Sequence, residues 1–176
     1  LLSQAEHDKL ASAVLVTESR ELAYAVQGEL ERQLAAMPRE DIARASVENN
    51  GKIIVCESME RAVDIANLIA PEHLELCVDD PLGLLPRVRN AGSVFLGRYT
   101  PEALGDYFAG PNHTLPTGGS ARFSSPLSVD DFVKKTQYIY YPEGALKGAA
   151  DSVVKFAQSE GLYGHAESVK IRVNKA

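Results

Sequence analysis

All four histidines of this 176-residue chain sit among carboxylates and amides. His7 belongs to Gln4-Ala5-Glu6-His7-Asp8 and His73 ends Pro71-Glu72-His73. His113 follows Gly110-Pro111-Asn112, a short way beyond Asp106, and His165 ends Glu160-Gly161-Leu162-Tyr163-Gly164-His165. Imidazole, carboxylate and amide oxygen are the ligand set of zinc or of a harder divalent ion. They are also the groups that move protons near neutral pH. A chain that spends every histidine in such company reads as building one polar site.

Each motif also has a plainer explanation. Gln4 and His7 are three residues apart, so one helical turn shows both to one side and an amide oxygen and an imidazole can share a metal. An exposed helix start would use the same residues. Adjacent Glu72 and His73 lie between a helix-like and a strand-like stretch, where partial burial lets both titrate near neutral pH and suits acid–base work. An ordinary connector is the alternative. Asp106 and His113 border a Gly/Pro loop in which turn chemistry alone explains Asp and Asn. Glu160 and His165 flank Gly161, and polar residues are common at helix ends. Singly these signals are weak; their joint occurrence, with no histidine left over, carries the reading. Ser124-Ser125 lacks a G-x-S-x-G elbow, and Tyr138-Ile-Tyr-Tyr141 reads as a core-packed strand rather than a stacking platform.

The elements that must position these groups alternate between two hydrophobic periods. Strand-like runs cover 12–17, 52–56, 74–78 and 93–96, with a last one at 137–141. Leu22, Val26, Leu30 and Leu34 mark a helix that Pro38 breaks, and Arg39 to Glu48 resumes it. Ser58 can cap a helix carrying Val63, Ala66 and Ile69 that stops near Pro71. Thr100-Pro101-Glu102 reads as a helix start with a hydroxyl cap and an acid at the positive end. Gly110 to Pro126 is a long Gly/Pro/Ser/Thr loop, and Ser128 to Asp131 has capping-box-like spacing. After Pro142 an apolar stripe of Leu146, Ala149, Val153 and Phe156 leads to Gly161 and then to a second helix running into the basic tail. The expected architecture is α/β: a parallel-sheet, Rossmann-like but incomplete lobe over 1–141, with a two-helix tail over 142–176 that needs a surface to dock on. No G-x-G-x-x-G follows any strand.

Bulk properties narrow the class. The chain is 45% hydrophobic, with a net charge of -6 and Lys and Arg scattered, which argues against a nucleic-acid partner. No apolar run approaches the ~18 residues of a membrane span, so no membrane association is expected. Cys56 and Cys77 lie in apolar runs and read as reduced, buried, small hydrophobes, which places the protein in the cytoplasm. The start at Leu1, without Met, reads as a piece of something longer.

Taken as strings, the motifs are specific. Ser3-Gln4-Ala5-Glu6-His7-Asp8, Ala70-Pro71-Glu72-His73-Leu74-Glu75-Leu76, Tyr99 through Asp106-Tyr107, Gly110-Pro111-Asn112-His113 through Gly119, Arg122 through Ser128, and Glu160-Gly161-Leu162 through His165-Ala166 resemble the histidinol dehydrogenase family, in that family's order. The resemblance spans this chain but only the C-terminal part of the family's.

The resemblance implies an activity: zinc-dependent oxidation of L-histidinol, via L-histidinaldehyde, to L-histidine with two NAD+. It also implies roles for residues. Gln4, His7, Asp106 and His165 match the zinc (Zn2+) ligands, and Glu72 and His73 match the acid–base pair. His113 and Glu160 match substrate contacts, alongside Gln4, His7, His73, Asp106 and His165. Glu160 and His165 would come from the partner of an intertwined homodimer, in keeping with a tail that needs a docking surface. Most NAD+ contacts would lie in the absent part, so this chain alone is expected to be inactive. Two rivals are a non-catalytic metal- or small-molecule-binding module and a zinc hydrolase, in which Glu beside His activates water. NADH formation by the parent protein separates the first reading from both.

Overall fold

The structure is a computed structural model that describes residues 1–173. The chain divides into two compact units, Leu1–Phe132 and Val133–Ala176. The first unit therefore ends before the boundary expected near Pro142, and residues 133–141 group with the tail.

The first unit runs α1 (Leu2–Ala5), β1 (Val14–Thr17), α2 (Arg20–Leu34), α3 (Glu40–Asn50), β2 (Lys52–Val55), α4 (Met59–Ile69), β3 (His73–Leu76), α5 (Pro81–Leu84), β4 (Ser93–Leu96) and α6 (Glu102–Tyr107). β1 pairs with β2 and β3 with β4, both in parallel, with Val14 opposite Lys52 and His73 opposite Ser93. Parallel neighbours need crossover connections, and helices supply them here, as the alternating pattern predicts for an α/β fold.

Local chemistry sets the helix ends. The hydroxyls of Ser19 and Ser58 accept the N–H groups of Leu22 (3.0 Å) and Arg61 (3.2 Å), capping α2 and α4. Thr100 does not cap α6 as expected. It sits one residue too early, its hydroxyl donates to Leu96 O at 2.8 Å, and the carboxylate of Glu75 takes the N–H of Glu102 instead. Ser128 and Asp131 behave as their spacing suggests: Asp131 Oδ2 accepts the N–H of Ser128 at 2.7 Å, and Ser128 Oγ accepts that of Asp130 at 3.2 Å. α4 ends at buried Ala70 in the left-handed region (φ 52°), a sharp exit that turns the chain into Pro71 and Glu72.

Packing ties these pieces together. Ala5, Leu34 and Ala43 form a buried cluster flanked by Leu2, Met37 and Val47, which fixes α1 against α2 and α3. Buried Asn67 on α4 donates to Arg87 O (2.9 Å) and accepts the N–H groups of Arg89 (2.7 Å) and Asn90 (3.1 Å). One side chain thus fastens the segment that leads into β4.

In the second unit, α7 (Glu143–Ser159) and α8 (Tyr163–Val173) pack as a helical hairpin around Ala150, Ala157 and Ala166. Gly161, at φ 76°, makes the break, and Leu162 N–H closes it onto Ala157 O at 2.8 Å. The hairpin does not cover the predicted stripe: Val153 and Phe156 stay exposed. The run 137–141 forms no strand, and Tyr138, Ile139, Tyr140 and Tyr141 are all exposed. Its β-propensity meets no partner strand within the described residues. The basic tail beyond Val173 lies outside them.

Candidate functional site

Glu72 and His73 stand where the left-handed exit of α4 meets the start of β3. Pro71 O accepts the N–H of Gly92 at 2.9 Å and Glu72 O accepts that of Ser93 at 2.8 Å, so the ladder to β4 begins at the pair itself. Gly92 is required here because a Cβ at that position would lie 2.6 Å from Glu72 O.

α6 lies against the same strands. Phe95, only 5% exposed, is the packing point. Its ring centroid is 5.8 Å from that of His73, and a Cβ on Gly105 would come within 2.6 Å of its Cε1. Glycine at position 105 therefore lets the helix approach closely enough for Glu102 and Asp106, one turn apart, to face His73.

The result is a convergence of donors. One ligand atom each from His73, Glu102 and Asp106 lies within 4.8 Å of the others, the one such group among the described residues. His73 Nε2 is fully buried and has no hydrogen-bond partner in the protein. The Glu102 carboxyl is pushed above the usual carboxylate range, first by burial and then by its hydrogen bond to Asp106 and the charge there. The charges of His73 and, least, of His7 pull it the other way. Carboxyl oxygens of this kind can hold zinc or a harder divalent ion, and the unpartnered imidazole nitrogen beside them can move a proton.

The other predicted residues fall into three groups. Gln4 is half-buried on α1, and His7, exposed just beyond it, rides on the same anchored element. His113 is exposed in the Gly/Pro loop. Asn112 Oδ1 accepts the N–H of Thr114 at 2.8 Å, and Leu127 N–H bonds Thr114 O at 3.0 Å, which closes the loop at its base. Glu160 and His165 belong to the second unit, exposed at the end of α7 and the first turn of α8. The cysteines are both free; Cys56 is half-buried, but Cys77, just past the end of β3, is exposed rather than buried.

Residue-by-residue reading of the sequence underweights Glu102. It is visible there as a helix-start acid, and its i, i+4 spacing to Asp106 is the available signal. Glu75, Asn67 and Phe95 carry no chemical signature in sequence; only the register of β3 on β4 and the packing of α4 give them their roles. A cleft of about 410 Å³ lies elsewhere, lined by residues that include Arg20, Tyr24, Glu31 and Lys52 from α2 and β2. It is lined by no histidine, so the chemistry is assigned to the convergence at His73 and not to this cleft.

Parallel α/β units that present an imidazole and paired carboxyls at the start of one strand and on a neighbouring helix define the class: an α/β protein with a metal-type polar site. The model of the histidinol dehydrogenase family matches residues 1–173. Histidinol dehydrogenase of Geobacillus kaustophilus is 57% identical over 175 residues, covering 99% of this chain and 41% of the relative. That of Geobacter metallireducens is 56% identical, covering 98% and 40%. The crystal structure of histidinol dehydrogenase from Elizabethkingia anophelis superposes with a TM-score of 0.90 at 35% identity, covering 98% of this chain and 40% of that one. The chain belongs to the histidinol dehydrogenase family, a family of oxidoreductases, and spans about 40% of the length of the relatives it matches. Among the described residues no helix is long and apolar enough to cross a membrane.

Proposed function

We propose that this chain is the C-terminal part of a zinc- and NAD+-dependent enzyme that oxidises L-histidinol, via L-histidinaldehyde, to L-histidine. The observation that carries the reading is the convergence of His73, Glu102 and Asp106 in a chain whose curated relatives are named histidinol dehydrogenase. Gln4, His7 and Asp106, with His165 of a second copy, are the residues that would hold zinc. When bound, zinc would supply a fixed anchor for the substrate's nitrogen atoms, and NAD+ would accept the hydride in each oxidation.

The chain's own residues then have defined work. His73 is the base: its buried, unpartnered nitrogen suits a group whose hydrogen-bond partner is the substrate. It takes the proton of the alcohol in the first oxidation. Glu72, beside it, removes a proton from the water that adds to the aldehyde. His73 takes the hydroxyl proton of the resulting hydrate in the second oxidation. His113 and Glu160 contact the substrate, with Glu160 and His165 supplied by the partner of a homodimer. The exposed run 138–141 and exposed Val153 and Phe156 support a tail that docks on another copy. The two unpaired cysteines fit a cytoplasmic enzyme.

The test uses the full-length parent. His73→Asn should slow NADH formation from histidinol by about 10²–10⁴-fold. Near-normal turnover would remove His73 from the mechanism. The present chain alone should form no NADH, since most NAD+ contacts are assigned to the part it lacks.

A further inference from the structure

We propose that Asn50–Gly51 is a covalent modification site: a deamidation centre that the fold holds closed and that opening at this end of α3 releases. It stands apart from the zinc reading and needs no reactant but water.

The pair is the one Asn-Gly step in the chain. The Gly51 backbone nitrogen, giving up its proton, bonds to the side-chain carbonyl carbon of Asn50. The Cγ–Nδ2 bond breaks, and the amide leaves as ammonia with that proton. Water then adds to one of the two carbonyls of the cyclic imide, and that carbon's bond to the ring nitrogen breaks. Opening at the side-chain carbonyl leaves an aspartate. Opening at the backbone carbonyl leaves an isoaspartate, whose main chain runs through the former side chain. No electrons change hands. Glycine, having no Cβ, leaves its nitrogen unhindered for the attack.

Three observations carry the proposal. First, the fold demands the glycine: a Cβ at position 51 would lie 2.5 Å from Val47 O, a backbone atom of the preceding turn. The residue that lets α3 end against β2 is thus the residue that exposes its neighbour to attack. Second, the folded backbone holds the attacking nitrogen. Asn50 is the last residue of α3, and the Gly51 N–H is committed to Ser46 O at 3.2 Å and Val47 O at 3.0 Å. On the other side, the Lys52 N–H bonds Ala13 O at 3.1 Å. Third, Asn50 is held by the segment that joins α1 to β1. Its Nδ2 donates to Lys9 O at 3.1 Å, and Ser12 Oγ donates to Asn50 O at 3.1 Å. Beside them, buried Ser46 donates its hydroxyl to Ala11 O at 2.8 Å. These bonds clasp residues 9–12 onto the end of α3. Asn50 and Gly51 are only half-buried, so water reaches them once the clasp opens.

The products act back on the clasp. A carboxylate at position 50 has no hydrogen to give Lys9 O, so two oxygens face each other where a bond stood. An isoaspartate also lengthens the main chain by one atom just before Lys52, which stands opposite Val14 at the start of the β1–β2 ladder. Each product weakens the contact whose opening formed it, so the change runs in one direction.

The experiment incubates the 176-residue chain in mildly alkaline buffer, folded and in urea, and follows position 50 by peptide mapping with mass spectrometry and an isoaspartate assay. Circular dichroism verifies which samples are folded. The unfolded chain should convert Asn50 ahead of its other asparagines, and the folded chain should do so at least about 10-fold more slowly. Gly51→Ala should suppress the reaction in urea. Ser12→Ala, which removes one bond of the clasp and leaves the pair intact, should speed the folded reaction by about 2–10-fold without changing the unfolded rate. Urea below the unfolding transition should speed it likewise, and serves in place of that variant if Ser12→Ala does not fold. An inert Asn50 in urea overturns the site. Equal rates in folded and unfolded chains overturn the protection by the fold. A folded rate that neither Ser12→Ala nor low urea changes overturns the clasp.

Discussion

Glu75 Oε1 accepts the backbone N–H of Glu102 at 2.9 Å. A strand side chain thus does the work normally given to the residue just before a helix, and it joins the element that opens with His73 to the one that carries Asp106. Losing this cap should cost about 0.5–2 kcal/mol. Glu75→Ala is expected to lower the urea midpoint accordingly. Glu75→Gln, which retains an acceptor oxygen, should lose less; an equal loss in both would mean that the charge, not the bond, matters.

Gly105→Ala sets two effects against each other. Alanine gains about 1 kcal/mol over glycine in a helix interior. Forcing a methyl to within 2.6 Å of the Phe95 ring costs about 1–3 kcal/mol if the helix must shift. The clash should win, because Phe95 is buried and cannot swing aside. The expected outcome is a lower melting temperature together with weaker metal binding. A more stable protein would show that α6 tolerates displacement.

Asn67→Ala removes three hydrogen bonds at a residue only 5% exposed and takes the side-chain acceptor from the backbone N–H groups of Arg89 and Asn90. A loss of about 2–4 kcal/mol is expected in denaturant unfolding. A loss below about 1 kcal/mol would show that water replaces the side chain at Arg89 and Asn90.

The pH dependence of the metal-free chain follows from Glu102. Its carboxyl is held above the ordinary range by burial first and by Asp106 second, so the folded chain binds this proton more tightly than the unfolded one. Its contribution to stability therefore declines as pH rises from the unfolded carboxylate value through the raised folded value, and the penalty is fully present above that window. In chelator, Glu102→Gln should gain stability relative to the parent as pH is raised from about 4 to about 8. Parallel curves would show no such penalty.

How much of this is legible in the sequence depends on distance along the chain. The helices at Leu22 to Leu34 and after Ser58 follow from periodicity and caps, and so does the Gly161 break, because each is a local balance. Glu72, His73 and Asp106 stand out because their residue types are unusual in such company. The role of Glu75 is not legible, since it depends on which strand lies beside which. The run at 137–141 misleads for the opposite reason: β-branched and aromatic residues favour strands only when another strand is there to receive them.

That same run has a spectroscopic consequence. The chain contains no tryptophan and seven tyrosines, so its ultraviolet emission is tyrosine emission alone. Tyr138, Tyr140 and Tyr141 supply a large share of it from positions that are 92%, 83% and 60% exposed. A surface that covered them would change the quantum yield and the access of a soluble quencher such as iodide. The tail proposed to dock on a second copy therefore carries its own reporter, and a dilution series read in a fluorimeter would test that docking without any label.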